Sequence, residues 1–77
     1  MIKKLLPIFQ NVFDDDSLVL YESTNASDID GWDSLAQIRL IVAIEKLFKV
    51  RFSAAEIVKL QNVGDMIKLI SKKKKDA

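Results

Sequence analysis

Seventy-seven residues make one small domain, and a chain this short buries only about 60% of the surface its unfolded form exposes, so a deep catalytic cavity is not expected. Apolar residues make up 49% of the chain and the formal net charge is +1, which predicts a folded globule and not a disordered segment. Cysteine and histidine are both absent, and with them go a disulfide scaffold, a Cys/His zinc site, a cysteine nucleophile and a Ser-His-Asp triad.

The first predicted element has apolar residues at Ile2, Leu5, Leu6, Phe9, Val12 and Phe13, which is helical spacing. Pro7 interrupts it, because proline suits a first turn but breaks or kinks a helix interior. Two readings follow: a helix that starts near Pro7, or a longer one bent there. The apolar stretch is too short for a signal peptide and runs into Asp14-Asp15-Asp16 without a small-residue cleavage site. No run approaches the roughly 18 apolar residues that cross a bilayer. The expectation is a soluble cytoplasmic protein without stable membrane insertion.

Residues 14–33 hold Asp, Ser, Asn and Gly with scattered Leu18, Leu20 and Ile29. They read as an ordered loop pinned to the core by those apolar side chains. A loop of such length is uncommon in a compact domain and tends to be functional. Asp28-Ile29-Asp30-Gly31 has the look of a calcium loop, but Ala26 and Gln37 stand where the first and twelfth ligands belong, so metal binding is discounted.

A second helix should run from about Ser34 to Phe48. Asp33 fits its cap, and Ser34 with Gln37 also fits a capping box, which leaves the first residue open. Leu40, Ile41, Ile44, Leu47 and Phe48 form a core face, whereas Leu35, Ile38 and Val42 make a second apolar line starting beside Ser34. Little protein is available to cover both faces in a domain this small, so the second line is expected to meet a partner. Ser34 itself stands where a loop becomes a helix. Free backbone N–H groups and the positive end of the helix dipole favour a phosphate there.

Val50-Arg51-Phe52 reads as a short extended connection, and Ser53 with Glu56 as a capping box opening a short helix that reaches about Leu60. Asn62 should cap a last helix that buries Val63, Met66, Ile67 and Ile70, with Leu69 at its edge. Residues 72–77 read as a frayed basic tail of one domain spanning 1–77. Four lysines without interleaved aromatics are too weak a signal for nucleic-acid binding, which is not expected.

Asp33-Ser34-Leu35 at a helix start, with Val63-Gly64-Asp65-Met66-Ile67 about thirty residues on and the intervening helix ending in Phe48, resembles the acyl carrier proteins over Asn25 to Ile70. The resemblance implies an all-α fold, a small four-helix bundle of three longer helices and one short one, with a long loop between helices 1 and 2. It also implies that Ser34 bears 4'-phosphopantetheine, moved from coenzyme A by a phosphopantetheinyl transferase that uses magnesium. The arm's thiol would then hold acyl intermediates as thioesters for acyl-transferring or acyl-activating biosynthetic enzymes, in fatty-acid, lipid or related synthesis. The carrier would be a non-catalytic monomer. By the same resemblance Asp33 shapes the helix start and with Leu35 flanks the attached arm, Leu35, Ile38, Arg39, Val42, Phe52 and Ile57 contact partners, and Phe52, Ile57 and Leu60 border an acyl cavity. The rival reading is a helical interaction module that uses the Leu35, Ile38 and Val42 line with no prosthetic group.

The charges depart from the family's usual pattern. Seven carboxylates and no lysine or arginine lie between Leu5 and Ile38, whereas ten basic residues against four acidic follow from Arg39 onward. Ala36 and Arg39 stand where many fatty-acid carriers have carboxylates, Lys46 and Lys49 follow, and Trp32 replaces a small residue before the Asp-Ser pair. These departures suggest a specialised carrier with its own enzymes, serving an unusual lipid, a lipopolysaccharide acyl chain, a polyketide or an aminoacyl unit.

Overall fold

Helix α1 (Ile2–Phe13) runs through Pro7 without a break in helical assignment. The alternative of a helix beginning near Pro7 is therefore excluded, and the missing proline N–H costs α1 one internal hydrogen bond. Leu5 and Phe9 from α1 are buried completely, and Asp14 in the left-handed region closes the helix. The computed structural model describes the backbone of residues 1–76 and the side chains of residues 1–74. Among the described residues α1 is followed by α2 (Ser34–Phe48), the short α3 (Ala54–Val58) and α4 (Val63–Asp76), with no strands. The chain is an all-α four-helix fold with a long loop after its first helix, as the sequence predicts.

The direction of packing is legible in the grooves the helices share. Met1 and Lys4 lie against Leu47 and Phe48, whereas Asn11 and Val12 also lie against Ile38 and Arg39, so α1 and α2 are antiparallel. Ser71 and Lys74 of α4 reach the same end as Leu47, and α4 therefore runs parallel to α2. Leu5, Phe9, Leu20, Ile29, Leu40, Ile44, Phe48, Val63, Met66 and Ile70 make one core to which both the helices and the loop contribute. Leu20 and Ile29 are buried and Leu18 packs at the edge, which is the pinning expected of them.

Three expectations need correction. Leu47, placed on the core face by periodicity, is 52% exposed, because α2 ends on the rim of the bundle where no element lies over it. Gln37 makes no capping box with Ser34; its side chain accepts a hydrogen bond from Trp32 Nε1 at 2.7 Å. Residues 72–76, read as a fraying basic helix end, belong to α4, and Lys73 there pairs with Glu56 at 2.9 Å. Ala77, the last residue of that predicted tail, lies outside the described residues. The third helix also stops at Val58, and Lys59 and Leu60 close it with hydrogen bonds to Glu56 and Ile57 carbonyls.

Burial separates the two faces of α2. Leu40 and Ile44 have no exposed surface and Phe48 is buried, whereas Leu35, Ile38 and Val42 are 57%, 58% and 43% exposed. Truncating Leu40, Ile44 or Phe48 to alanine should therefore cost about 2–5 kcal/mol in denaturant melts. Leu35→Ala should stay within about 0.5 kcal/mol of the parent. A Leu35→Ala loss as large as that of Phe48→Ala would place Leu35 in the core.

Candidate functional site

The site is built at the N-terminal end of α2. Gly31 has φ +85°, a left-handed backbone that side chains rarely adopt, and it lets the loop turn so that the Asp33 N–H donates to the Gly31 carbonyl at 2.9 Å. Nothing crowds a side chain at Gly31, so the requirement there is conformational and not steric. Asp33 then caps α2: its Oδ1 accepts from the Ala36 N–H at 2.9 Å, and its carbonyl accepts from the Gln37 N–H at 2.9 Å. Of the two capping schemes the sequence allows, this structure uses Asp33. Ser34 is consequently the first helical residue, with an exposed side chain.

Trp32 fixes the approach from the other side. Its ring packs edge-on against Phe9 at 5.4 Å between centroids and meets Phe13 at 6.0 Å, while its indole N–H is held by Gln37. The residue before Asp33 is thus tied both to α1 and to the second turn of α2. Sequence reading singled out Trp32 as unusual but missed this clamp; the signal was a lone indole five residues before an amide, a spacing that is informative only once Asp33 is known to start the helix.

A concavity of about 590 Å³ opens beside Ser34, lined by Trp32, Ser34, Gln37, Ile38, Ile57, Val58 and Leu60 among others. Ile57 and Leu60 line this concavity, and Val58, 79% exposed, joins them without having been singled out. Phe52 does not line this concavity. It packs against the core with Lys73 Nζ 5.8 Å from its ring centroid, and its N–H donates to Glu45 at 2.9 Å. Arg39 is exposed one and a half turns after Ser34, in a shallow groove with Asn11, Val12, Ile38, Val42 and Lys46. Asp33, Ser34, Leu35, Ile38, Ile57 and Leu60 therefore share one end of the molecule, Arg39 and Val42 extend the surface along α2, and Phe52 stands apart.

The wall containing Ile57 is positioned by the α3 capping box. Ser53 Oγ accepts from the Glu56 N–H, Glu56 Oε1 accepts from the Ser53 N–H at 2.8 Å, and Lys73 Nζ binds the same oxygen. The hydrogen bond from the Ser53 backbone, followed by the one from Lys73, lowers the Glu56 pKa from its ordinary 4.5 to about 2.

The arrangement suits a covalently tethered group. A hydroxyl that is exposed, at the N-terminal end of a helix and clear of the hydrogen bonds around it can carry a phosphodiester, and the neighbouring apolar hollow has room for a flexible arm. Among the described residues no cluster of metal-ligating side chains occurs, and no helix is long and apolar enough to cross a membrane.

Comparison with known proteins agrees with this geometry. A family profile described as the phosphopantetheine attachment site matches residues 3–70. The solution structure of a holo acyl carrier protein from Geobacter metallireducens is similar to the chain at 51% identity with a TM-score of 0.87, over 94% of this chain and 83% of that one. The chain belongs to the phosphopantetheine-attachment family and has the acyl carrier protein fold. The prosthetic group of this family is covalently attached 4'-phosphopantetheine, as the sequence leads one to expect.

The Glu56 cluster gives a pH test. A carboxylate with a lowered folded pKa adds stability above its unfolded pKa and loses it as pH falls, so the Glu56 contribution should be present above about pH 4.5 and fade towards about pH 2. Stability measured for wild type and Glu56→Gln should differ at neutral pH and converge across that window. A difference that stays constant from pH 5 to pH 2 would mean that the carboxylate is not held by Ser53 and Lys73.

Proposed function

We propose that the protein is an acyl carrier whose Ser34 Oγ bears the phosphopantetheine arm, and that phosphopantetheinyl transferase is the enzyme that attaches it. The observation that carries this reading is the exposed Ser34 side chain at the first residue of α2, between the apolar hollow and the exposed Leu35, Ile38 and Val42. When attached, the arm supplies a thiol that holds an acyl group as a thioester. The chain's own residues orient and present it: Asp33 fixes the helix start, Ile57, Val58 and Leu60 offer apolar contact to the cargo, and Leu35, Ile38, Arg39 and Val42 meet the enzymes that load and unload it. Phe52 supports α3 from behind. The carrier itself performs no catalysis, works as a monomer in the cytoplasm, and serves fatty-acid, lipid or related biosynthesis.

The charges on α2 favour a dedicated set of enzymes. Arg39 and Lys46 flank the exposed apolar line, and among the described residues neither is paired with a carboxylate. A partner with a basic docking patch meets like charge there, which slows encounter and weakens the complex. An acidic patch suits this face better.

Incubation with coenzyme A and a broad-specificity phosphopantetheinyl transferase, followed by mass spectrometry, tests the attachment. Wild type should gain one arm, and Ser34→Ala should gain none while keeping its helical circular-dichroism spectrum. Modification that persists in Ser34→Ala would move the site to another residue. Absence of modification in wild type would favour the reading in which the Leu35, Ile38 and Val42 line is an interaction surface without a prosthetic group.

Partner choice has its own test. Loading by a typical fatty-acid elongation enzyme with a basic docking patch should be poor, and Arg39→Glu should improve it by up to about tenfold at low ionic strength, whereas Ala36, which is buried, is no position for an added carboxylate. Added salt should shrink the gain as the Debye length falls towards about 8 Å. Efficient wild-type loading with no response to charge reversal would show that residue 39 does not set partner choice.

A further inference from the structure

The largest of the concavities lined by the described residues is not at Ser34. It measures about 910 Å³ and runs along α1 from Met1 to Val12, against Ala43, Leu47 and Phe48 of α2 and Ser71 and Lys74 at the end of α4. Leu47 is thirteen residues along α2 from Ser34, about 20 Å at about 1.5 Å rise per residue, so this groove and the Ser34 hollow are separate places. Its apolar surface comes from Met1, Pro7, Ile8, Val12, Leu47 and Phe48. Leu47 is the informative member, since helical periodicity assigns it to the core and the fold leaves it 52% exposed over this groove. An apolar side chain at a core register without a cover is a surface that gains from being covered.

Charge selects among possible covers. Lys4 and Lys74 line the groove, no carboxylate does among the described residues, and the only ion pair among them, between Lys73 and Glu56, involves neither lysine. The acidic residues of the 14–33 loop belong to the opposite end of α1. Helix ends do not decide the sign, because α1 begins at this end whereas α2 and α4 finish at it, and their dipoles oppose. The side chains decide it. The groove is open to solvent, and a volume near the upper end of the range for small-molecule pockets has room for one flexible chain.

We infer that this groove binds a long-chain fatty carboxylate, with its tail along Pro7, Ile8 and Leu47 and its carboxylate at Lys4 and Lys74. The site is non-covalent and needs no prosthetic arm, so it stands or falls independently of Ser34. Such a site would let the carrier sense a free acyl acid at the end of the bundle remote from its attachment serine.

Titrating the full chain with dodecanoate below its micelle concentration, followed by amide NMR, tests the inference. Saturable shifts are expected at Ile8, Leu47 and Ser71, and equally in Ser34→Ala. Leu47→Glu should weaken binding about tenfold or more, by removing an apolar contact and adding a like charge. The double variant Lys4→Gln/Lys74→Gln leaves the apolar floor intact, and should lower affinity about threefold to tenfold. It should also abolish preference for dodecanoate over dodecyltrimethylammonium. Shifts confined to Ile57 and Leu60 would assign the amphiphile to the Ser34 hollow and overturn the inference. So would equal binding of the two amphiphiles by wild type, or groove shifts that grow with protein concentration without amphiphile, which would make a second copy of the chain the occupant.

Discussion

A short tie between the loop and α4 determines where everything at the functional end can sit. The Val63 N–H donates to the Thr24 carbonyl at 2.9 Å and the Gly64 N–H to the Glu22 carbonyl at 2.7 Å, with Asn25 and Asn62 forming an isolated antiparallel bridge. These are the free N–H groups of a helix start, and the loop backbone satisfies two of them. Gly64 makes the approach possible. A Cβ at that position would meet the Glu22 carbonyl at 3.1 Å and the Asn62 side chain at 3.2 Å, so a larger residue requires these neighbours to give by a few tenths of an ångström. The loop is thereby stapled in its middle, and the residues leading to Asp33 start from a fixed point.

From that point the chain needs only local interactions to place Ser34. Thr24, the buried polar residue of the loop, accepts the Tyr21 N–H on its hydroxyl, and Asp28 accepts the Asn25 N–H, so successive turns are closed by side chains and not by strands. Gly31 supplies the left-handed turn, Trp32 the aromatic contact with α1, and Asp33 the cap. Each interaction is worth about 1 kcal/mol or little more. Together they hold a hydroxyl outward without burying it. A long loop without regular structure is stable here because its polar groups are paired within it or with α4 and its apolar residues Leu20 and Ile29 enter the core.

Most of this was legible in the sequence wherever one residue type has one dominant use. Ser53 with Glu56, Asn62 before α4, the buried periodicity of Val63, Met66 and Ile70, and the Leu18, Leu20 and Ile29 pins all appear where composition and spacing put them. The resemblance located Val63-Gly64-Asp65 as a landmark, and the contacts of Gly64 now give the physical reason for it. What spacing could not show depends on where elements end in space. Leu47 follows the helical period faithfully and is still only half covered, because periodicity reports the face of a helix and not how closely its neighbours pack over it. Gln37 fits the capping-box pattern, but the competing Trp32 indole takes its oxygen. Lys73 sits in a lysine run that reads as solvent-facing, yet the short α3 brings Glu56 beneath it.

The charge asymmetry along the chain becomes an asymmetry in space. Carboxylates of residues 14–33 gather on the loop around the attachment end, whereas Arg39 and Lys46 occupy the exposed side of α2 and Lys4 and Lys74 the opposite end of the bundle. A net charge of +1 hides this separation. The acidic loop leads into Ser34 on one side, and Arg39 and Lys46 occupy the exposed face of α2 on the other. Two patches of opposite sign would discriminate between approach directions better than a uniformly acidic surface does. The apolar line of Leu35, Ile38 and Val42 lies along the cationic side. The desolvated contact of a complex would form there, so the sign of Arg39 acts where electrostatic mismatch costs most.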